Sequence, residues 1–446
     1  MNDRHLLHQT AHPTRYLTSL VAVLLLLQLL LPAEPARTQA TAGTSRLDAI
    51  EVHGSTRFAS EQIAAAAGLR AGAAVTREDL QAAADRLAKL GPFSTVEYRF
   101  STAEPGVKVV YQVTDAPLVP VSFDNFPWFA DEELNSAIKG TVTLFDGMAP
   151  TRGAILDEMS TALARFLSTR GIRANVLHTL ITPPARGQRT LQFRVDGTES
   201  TVAGLEFSDA LANGDRAIQQ RLSDIVGKPF SRSAIELFEF EQVRPVYLSH
   251  AFLRVQFGGP SPRVTAKPNA SDPGQVVVTA PVDPGPSYTW NGVTWSGNSA
   301  LSASDLEKLV ELKPGDPANG TKIEAAWQGV RHVYGQRGYL DVNVDPVPQF
   351  DESAKRVAYA VVITEGPQFH MGNLVLTGLS LEGERRIRAG WKIAPGATFD
   401  QTVYDQFLDT GIKQAFAGLS VHYDRIGRFL QEDPKAGRVD VLIDFQ

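Results

Sequence analysis

The stretch VTWSGNSALSASDLEKLVELKPGD, Val293 to Asp316, decides how the rest of the chain is read. Val293 and Trp295 alternate with polar residues and run into Gly297, the pattern of a short strand that ends in a turn. A helix is predicted from Ser304 to about Leu312, with Ser302 or Ser304 as its cap and Asp305 in its first turn. Pro314-Gly315 ends it. Beyond, Ile323, Trp327, Val330 and Tyr334 fall at helical spacing, so a second helix covers about Thr321 to Gln336 and is capped by Gly338. Tyr339, Val342 and Val344 read as a second strand, Asp351–Lys355 as a polar connection, and Val357–Thr364 as a third strand closed by Glu365-Gly366-Pro367. The unit is β-α-α-β-β.

The same register returns elsewhere. Ile50-x-Val52-x-Gly54 and Leu374-x-Leu376-x-Gly378 repeat the first strand, and a second glycine follows each of the three by 18 residues, at Gly72, Gly315 and Gly396. Gly297 and Gly378 lie 81 residues apart, as do Gly315 and Gly396. A period this long means a chain of small domains, not a solenoid of single helical hairpins. Five units are expected: 46–117, 118–200, 201–286, 287–367 and 368–446. The second and third repeat the layout more than the residues. In the third, a helix from Ser233 to Ser249 should kink or shorten at Pro245, Ala251 stands where other units have the capping glycine, and strands at Phe252–Phe257 and Gln275–Ala280 flank a proline-rich loop, Gly258–Gly274. In the fifth, Leu419–Tyr423 and Val439–Phe445 are the expected hairpin.

Ahead of the units, Leu20–Leu31 is apolar but for Gln28, preceded by Arg4 and Arg15 and followed by Pro32 and Ala40-Thr41-Ala42. A basic start, about a dozen apolar residues and a small-residue exit describe a signal peptide over 1–42. An uncleaved inner-membrane anchor over residues 16–31 is the alternative. The 446 residues hold no cysteine, which excludes disulfides, thiolate metal sites and a Cys nucleophile. A net charge of −6 argues against a general nucleic-acid binder.

Glycine-closed first strands, the (Lys/Ala)-Pro-Gly turns at Lys313-Pro314-Gly315 and Ala394-Pro395-Gly396, the Tyr334-Gly335-Gln336-Arg337-Gly338-Tyr339 entry to the second strand and the Glu365-Gly366-Pro367 exit together resemble the POTRA (polypeptide-transport-associated) domain of the outer-membrane surface-antigen and barrel-assembly family. The resemblance covers nearly the whole chain after the signal. It implies an α+β tandem array in the periplasm, associated with the outer membrane. It also implies binding of unfolded outer-membrane or secreted polypeptides by strand addition at a sheet edge, together with a separate β-barrel partner. A 16-stranded barrel needs at least about 150 residues before loops, and the fifth unit is expected to use the chain to Gln446. By the same resemblance the receiving edge is the second strand, with Tyr339, Val342 and Val344 in the fourth unit and Phe252, Val255 and Phe257 in the third as candidate partner-binding residues. The other reading is a membrane-anchored, envelope-organising protein that binds one folded partner.

No catalytic, cofactor or metal residues are assigned. The nine His are scattered without paired spacing. Gly227-Lys228-Pro229 lacks the phosphate-donating N–H of a P-loop. Gly378-Leu379-Ser380-Leu381-Glu382-Gly383 is one residue too long for a nucleophile elbow. The aromatic stretch Asp124-Asn125-Phe126-Pro127-Trp128-Phe129 reads as packing at the edge of the second unit's core, or as a partner contact.

Overall fold

The shared register appears in three dimensions as one hydrogen bond made four times. The N–H of Gly72, Gly227, Gly315 and Gly396 donates to the carbonyl of Leu47, Val202, Trp290 and Met371, at 2.7, 2.8, 2.8 and 2.6 Å. All four glycines have φ between 80° and 97°, the left-handed region that residues with a Cβ enter only at a cost. The turn after the first helix is thereby tied to the first strand of its own sheet.

The computed structural model describes residues 44–103, 106–183, 187–266, 274–418 and 423–446; the signal reading over 1–42 falls outside them. The chain divides into two compact units, Met1–Ala116 and Pro117–Gln446. The first holds β1 (Ser45–His53), β2 (Ala74–Val75), β3 (Phe93–Ala103) and β4 (Gly106–Asp115) in the order β2-β1-β4-β3, with helices Ser60–Ala67 and Arg77–Leu90.

Four sheets make up the second unit. β5 (Leu118–Phe123), β6 (Met148–Pro150), β7 (Asn175–Ile181) and β8 (Thr190–Asp196) run β6-β5-β8-β7, with helices Asp131–Lys139 and Ile155–Thr169. The next sheet runs β11-β12-β9, from β9 (Thr201–Phe207), β11 (Ser261–Ala266) and β12 (Gln275–Ala280), while β10 (Gln256–Phe257) pairs with β13 (Val282–Asp283). β14 (Thr289–Ser296), β15 (Asn343–Asp351) and β16 (Arg356–Thr364) form β14-β16-β15. β17 (His370–Thr377), β18 (Ile426–Asp433) and β19 (Arg438–Phe445) form β17-β19-β18. In all five main sheets the last long strand is central, parallel to the first and antiparallel to the strand before it. The fold is thus a tandem α+β array.

Alternation places each core. In β19, Val439, Val441, Ile443 and Phe445 are buried against Ile387, Tyr404, Phe407 and Ile412 of the helices. In the fourth sheet Val357, Val361 and Ile363 pack on Trp327, Val330 and Tyr334. Each such side chain contributes about 1.5–3 kcal/mol by leaving water.

Two helices carry a wider turn than the sequence suggested. The third domain's second helix is Arg232–Phe238, a π-turn over Glu239–Val243 and Arg244–Ser249. Pro245 cannot donate to the preceding turn, and the π-turn stands at the place where a kink was expected. A second π-turn, Phe407–Gly411, interrupts the fifth domain's helix.

In the third and fourth domains the strand after the second helix starts later than expected. Tyr339 and Val342 precede β15; Phe252 and Val255 precede β10, and the third sheet's edge strand is β11, inside the stretch read as a proline-rich loop. Four residues, 252–255 and 339–342, follow the helix cap before extended backbone begins, and the prolines at 262, 346 and 348 lie within strands. In the fifth domain the expected strand Leu419–Tyr423 lies outside the described residues except for Tyr423, and the described strand that pairs with β19 is β18.

The last three domains are joined by main chain. Tyr288 N–H donates to the Ala251 carbonyl at 3.1 Å, and Phe369 N–H donates to the Gly338 carbonyl at 2.8 Å. Each bond links the cap of one domain's second helix to the residue that enters the next domain's first strand. Arg254–Glu352 (2.6 Å) and Arg244–Glu324 (2.9 Å) bridge the first of these joints.

Candidate functional site: the free sheet edges

A three-stranded sheet with one covered face leaves its outer strands to pair with whatever extended chain arrives. What an edge offers depends on which N–H groups point outward.

β15 offers few. Pro346 and Pro348 have no N–H, and a proline fits an antiparallel ladder only where its nitrogen faces away from the partner. They are paired in register with Val361 and Tyr359 of β16, so their positions face the open side. The outward set is then Val344, Pro346, Pro348 and Phe350, in which donors remain only at the two ends, about 20 Å apart. The same logic applies to Pro262 in β11. These edges are blunted in the way sheets guard against unwanted pairing.

β18 offers a full set. Arg425 and Gln446 exchange two main-chain hydrogen bonds, Arg425 N–H to Gln446 O at 3.1 Å and the reverse at 2.9 Å. Antiparallel ladders alternate bonded and non-bonded pairs. Gly427, Phe429 and Gln431 therefore bond to β19, and Ile426, Arg428, Leu430 and Glu432 turn both N–H and C=O outward. No proline interrupts Ile426–Asp433, and Phe429 stands 52% exposed. Burial and the Asp341 carboxylate raise the Glu432 pKa, which marks the end of the strand nearest the fourth domain. β3 and β7 are also free of proline at the edges of their sheets.

The residues singled out from sequence are placed differently from one another. Val344 is buried within β15; Tyr339 and Val342 pack partly buried against the fourth core, with Tyr339 edge-on to Tyr334. Phe252, Val255 and Phe257 pack against the third core, and Phe257 belongs to β10. Their side chains support the sheets rather than face solvent. β18 has a weak signal in the sequence, since IGRFLQED holds no proline but does not alternate strictly: Phe429 and Leu430 are adjacent.

The exit motif is structural. Glu365 accepts from Ser299 N–H at 2.6 Å, Ala300 N–H at 2.7 Å and the Tyr334 hydroxyl at 2.8 Å. Burial, followed by the bond to Glu365, raises the Tyr334 pKa. Asp115 does the same work in the first domain, accepting from Thr56 N–H at 2.9 Å. In the aromatic stretch Phe126 is buried against Phe123, and Phe129 meets Phe166 edge to face, so packing accounts for both. Among the described residues no cluster of three metal-ligating side chains occurs, and no helix is long and apolar enough to cross a membrane.

Residues 45–116 and 288–366 match the POTRA family, the surface antigen variable number repeat. A Treponema pallidum (strain Nichols) protein whose name assigns it to outer membrane protein assembly is 22% identical over 228 residues, which is 50% of this chain and 27% of that protein. The match thus spans about a quarter of the relative's length. Among solved structures, POTRA domains 3–5 of Haemophilus influenzae BamA are 18% identical with a TM-score of 0.44, over 56% of this chain and 98% of that one. POTRA domains 1–3 of Anabaena Omp85 are 14% identical with a TM-score of 0.18, over 73% of this chain and 97% of that one.

Proposed function

We propose that this chain, a tandem array carrying POTRA domains, is a non-enzymatic periplasmic scaffold of outer-membrane protein assembly or secretion. It holds unfolded outer-membrane or secreted polypeptides by strand addition and hands them to a separate β-barrel partner. The observation that carries the reading is the free edge of β18, where the main-chain groups of four alternate residues face outward without a proline. Main-chain pairing is indifferent to client sequence, and unfolded barrel strands alternate apolar and polar residues, which suits a sheet with one wet face. The fourth-domain and third-domain edges named above are the weaker receivers, since proline strips their donors.

A proline at Arg428 tests this. Its N–H faces away from β19, so Arg428→Pro removes an outward donor while leaving the ladder. With a photo-crosslinker at Phe429 in the living cell, crosslinks to several barrel precursors are expected, reduced at least five-fold by Arg428→Pro at unchanged melting temperature. Undiminished crosslinking sinks edge pairing. Recovery of one folded protein alone favours the envelope-organising alternative.

A further inference from the structure

The third domain buries a carboxyl group one of whose oxygens has no hydrogen-bond partner. Glu239 opens the π-turn, is 2% exposed, and its Oε1 has no hydrogen-bond partner. Burial and the neighbouring Glu236 carboxylate push its pKa up to about 8. An unpartnered buried polar oxygen destabilises a fold, and π-turns concentrate at functional sites.

Glu239 lines a recess of about 340 Å³, with Glu236, Phe240, Arg244, Val255 and Phe257 also in its wall. Arg244 is engaged elsewhere: it pairs with Glu324 and lies over the Phe240 ring at 5.6 Å. The recess shares Glu236 and Gly259 with a longer cleft of about 690 Å³ between the second and third domains. That cleft is walled by Trp128, Phe129, Pro260 and Pro262, and its charged residues are Asp124, Asp131, Glu132 and Glu236 against one cation, Arg232. Arg232 is bonded to Asp131. Asp124 is buried and accepts from Ser231 Oγ–H at 3.0 Å and Ser233 N–H at 2.9 Å, which fixes the third domain's second helix on the second domain. The cleft is therefore a defined space, acidic, aromatic and proline-lined, that opens onto a recess with a buried carboxyl.

We infer that an extended polypeptide segment lies in this cleft and places a lysine or arginine side chain in the recess, where Glu239 releases its proton to water and pairs with the cation. The inference rests on the reading of the chain as a holder of unfolded polypeptides and adds a side-chain preference to it. Charge complementarity selects the occupant: carboxylates outnumber cations four to one along the cleft, and the group at the bottom of the recess is an acid. The apolar stem of a lysine or arginine suits the Phe240, Val255 and Phe257 walls while its head reaches the carboxyl.

The test uses the full chain and fluorescein-labelled twelve-residue peptides of alternating Thr and Val with Lys, Leu or Glu at the centre. Fluorescence anisotropy should show the Lys peptide binding at least ten-fold tighter than the other two. Glu239→Gln should remove that preference and leave the Leu peptide within two-fold of its original affinity. Glu236→Lys, on the shoulder of the recess, is the second variant should Glu239→Gln fail to fold, and it should weaken the Lys peptide at least five-fold. Equal binding of the three peptides to the native chain overturns the inference, as does a Lys preference that survives both substitutions. Loss of the preference with β18 crosslinking intact removes the recess alone; a Lys preference without β18 crosslinking removes edge pairing alone.

Discussion

Gly54, Gly297 and Gly378 show how far single residues determine this fold. Each closes a first strand with φ between 76° and 97°, and a Cβ at any of them would overlap the main-chain carbonyl of Val113, Ile363 or Phe445 on the central strand. Gly315 has the same backbone conformation but open space around it. Gly315→Ala should therefore destabilise its domain by about 1–2 kcal/mol, the conformational penalty alone. Gly297→Ala should exceed that clearly, because backbone must move; urea unfolding followed by tryptophan fluorescence compares the two. Glu239 gives a prediction of the other kind. Its raised pKa means that the folded state keeps a proton the unfolded state loses, so stability falls as pH rises from about 4.5 to 8. Hydrogen exchange over residues 235–247 should show this decline, at most about 1.4 kcal/mol per pH unit, in the native chain and not in Glu239→Gln.

At the scale of elements, the helices and central strands were legible because period and burial agree. β16 and β19 alternate cleanly, and Gly338 and Gly418 mark where helices stop. In the third and fourth domains the edge strands run through prolines for one physical reason. Proline is excluded from a ladder only where its nitrogen faces a partner, and an edge strand has a side with no partner. β15 thus runs through Pro346 and Pro348 to Asp351, and β11 runs through Pro262 inside the stretch read as a loop. The candidate residues Tyr339, Val342, Phe252 and Val255 precede the strands and pack against their cores. Pro346→Val with Pro348→Val should restore two outward donors on β15. A photo-crosslinker at Val347, 46% exposed, is then expected to capture clients several-fold more often than in the native chain. Unchanged capture would show that proline is not what silences that edge.

At the scale of the whole chain, the joints among the last three domains matter most. Gly320 opens the fourth domain's second helix, and a Cβ there would come within 2.9 Å of Leu248 and Leu253 of the third. Gly320→Leu should pry this joint open without unfolding either core. Spin labels at Arg216 and Ser353 should report a broadened distance distribution, with melting temperatures shifted by only a few degrees; an unchanged distribution would show that the helix contact does not hold the joint. The period in the sequence announced the domains, but nothing in it announced the joints, since their central bonds use main chain. Tyr288 reaches the carbonyl of Ala251 as Phe369, one 81-residue period later, reaches that of Gly338. Ala251 even holds the glycine-like conformation, φ 65°, with its methyl in the next domain's core. The central bond of each joint asks nothing of the side chains on either side of it, so a duplicated module would bring that bond with it, while the side chains around the bond would still have to be fitted to each new neighbour.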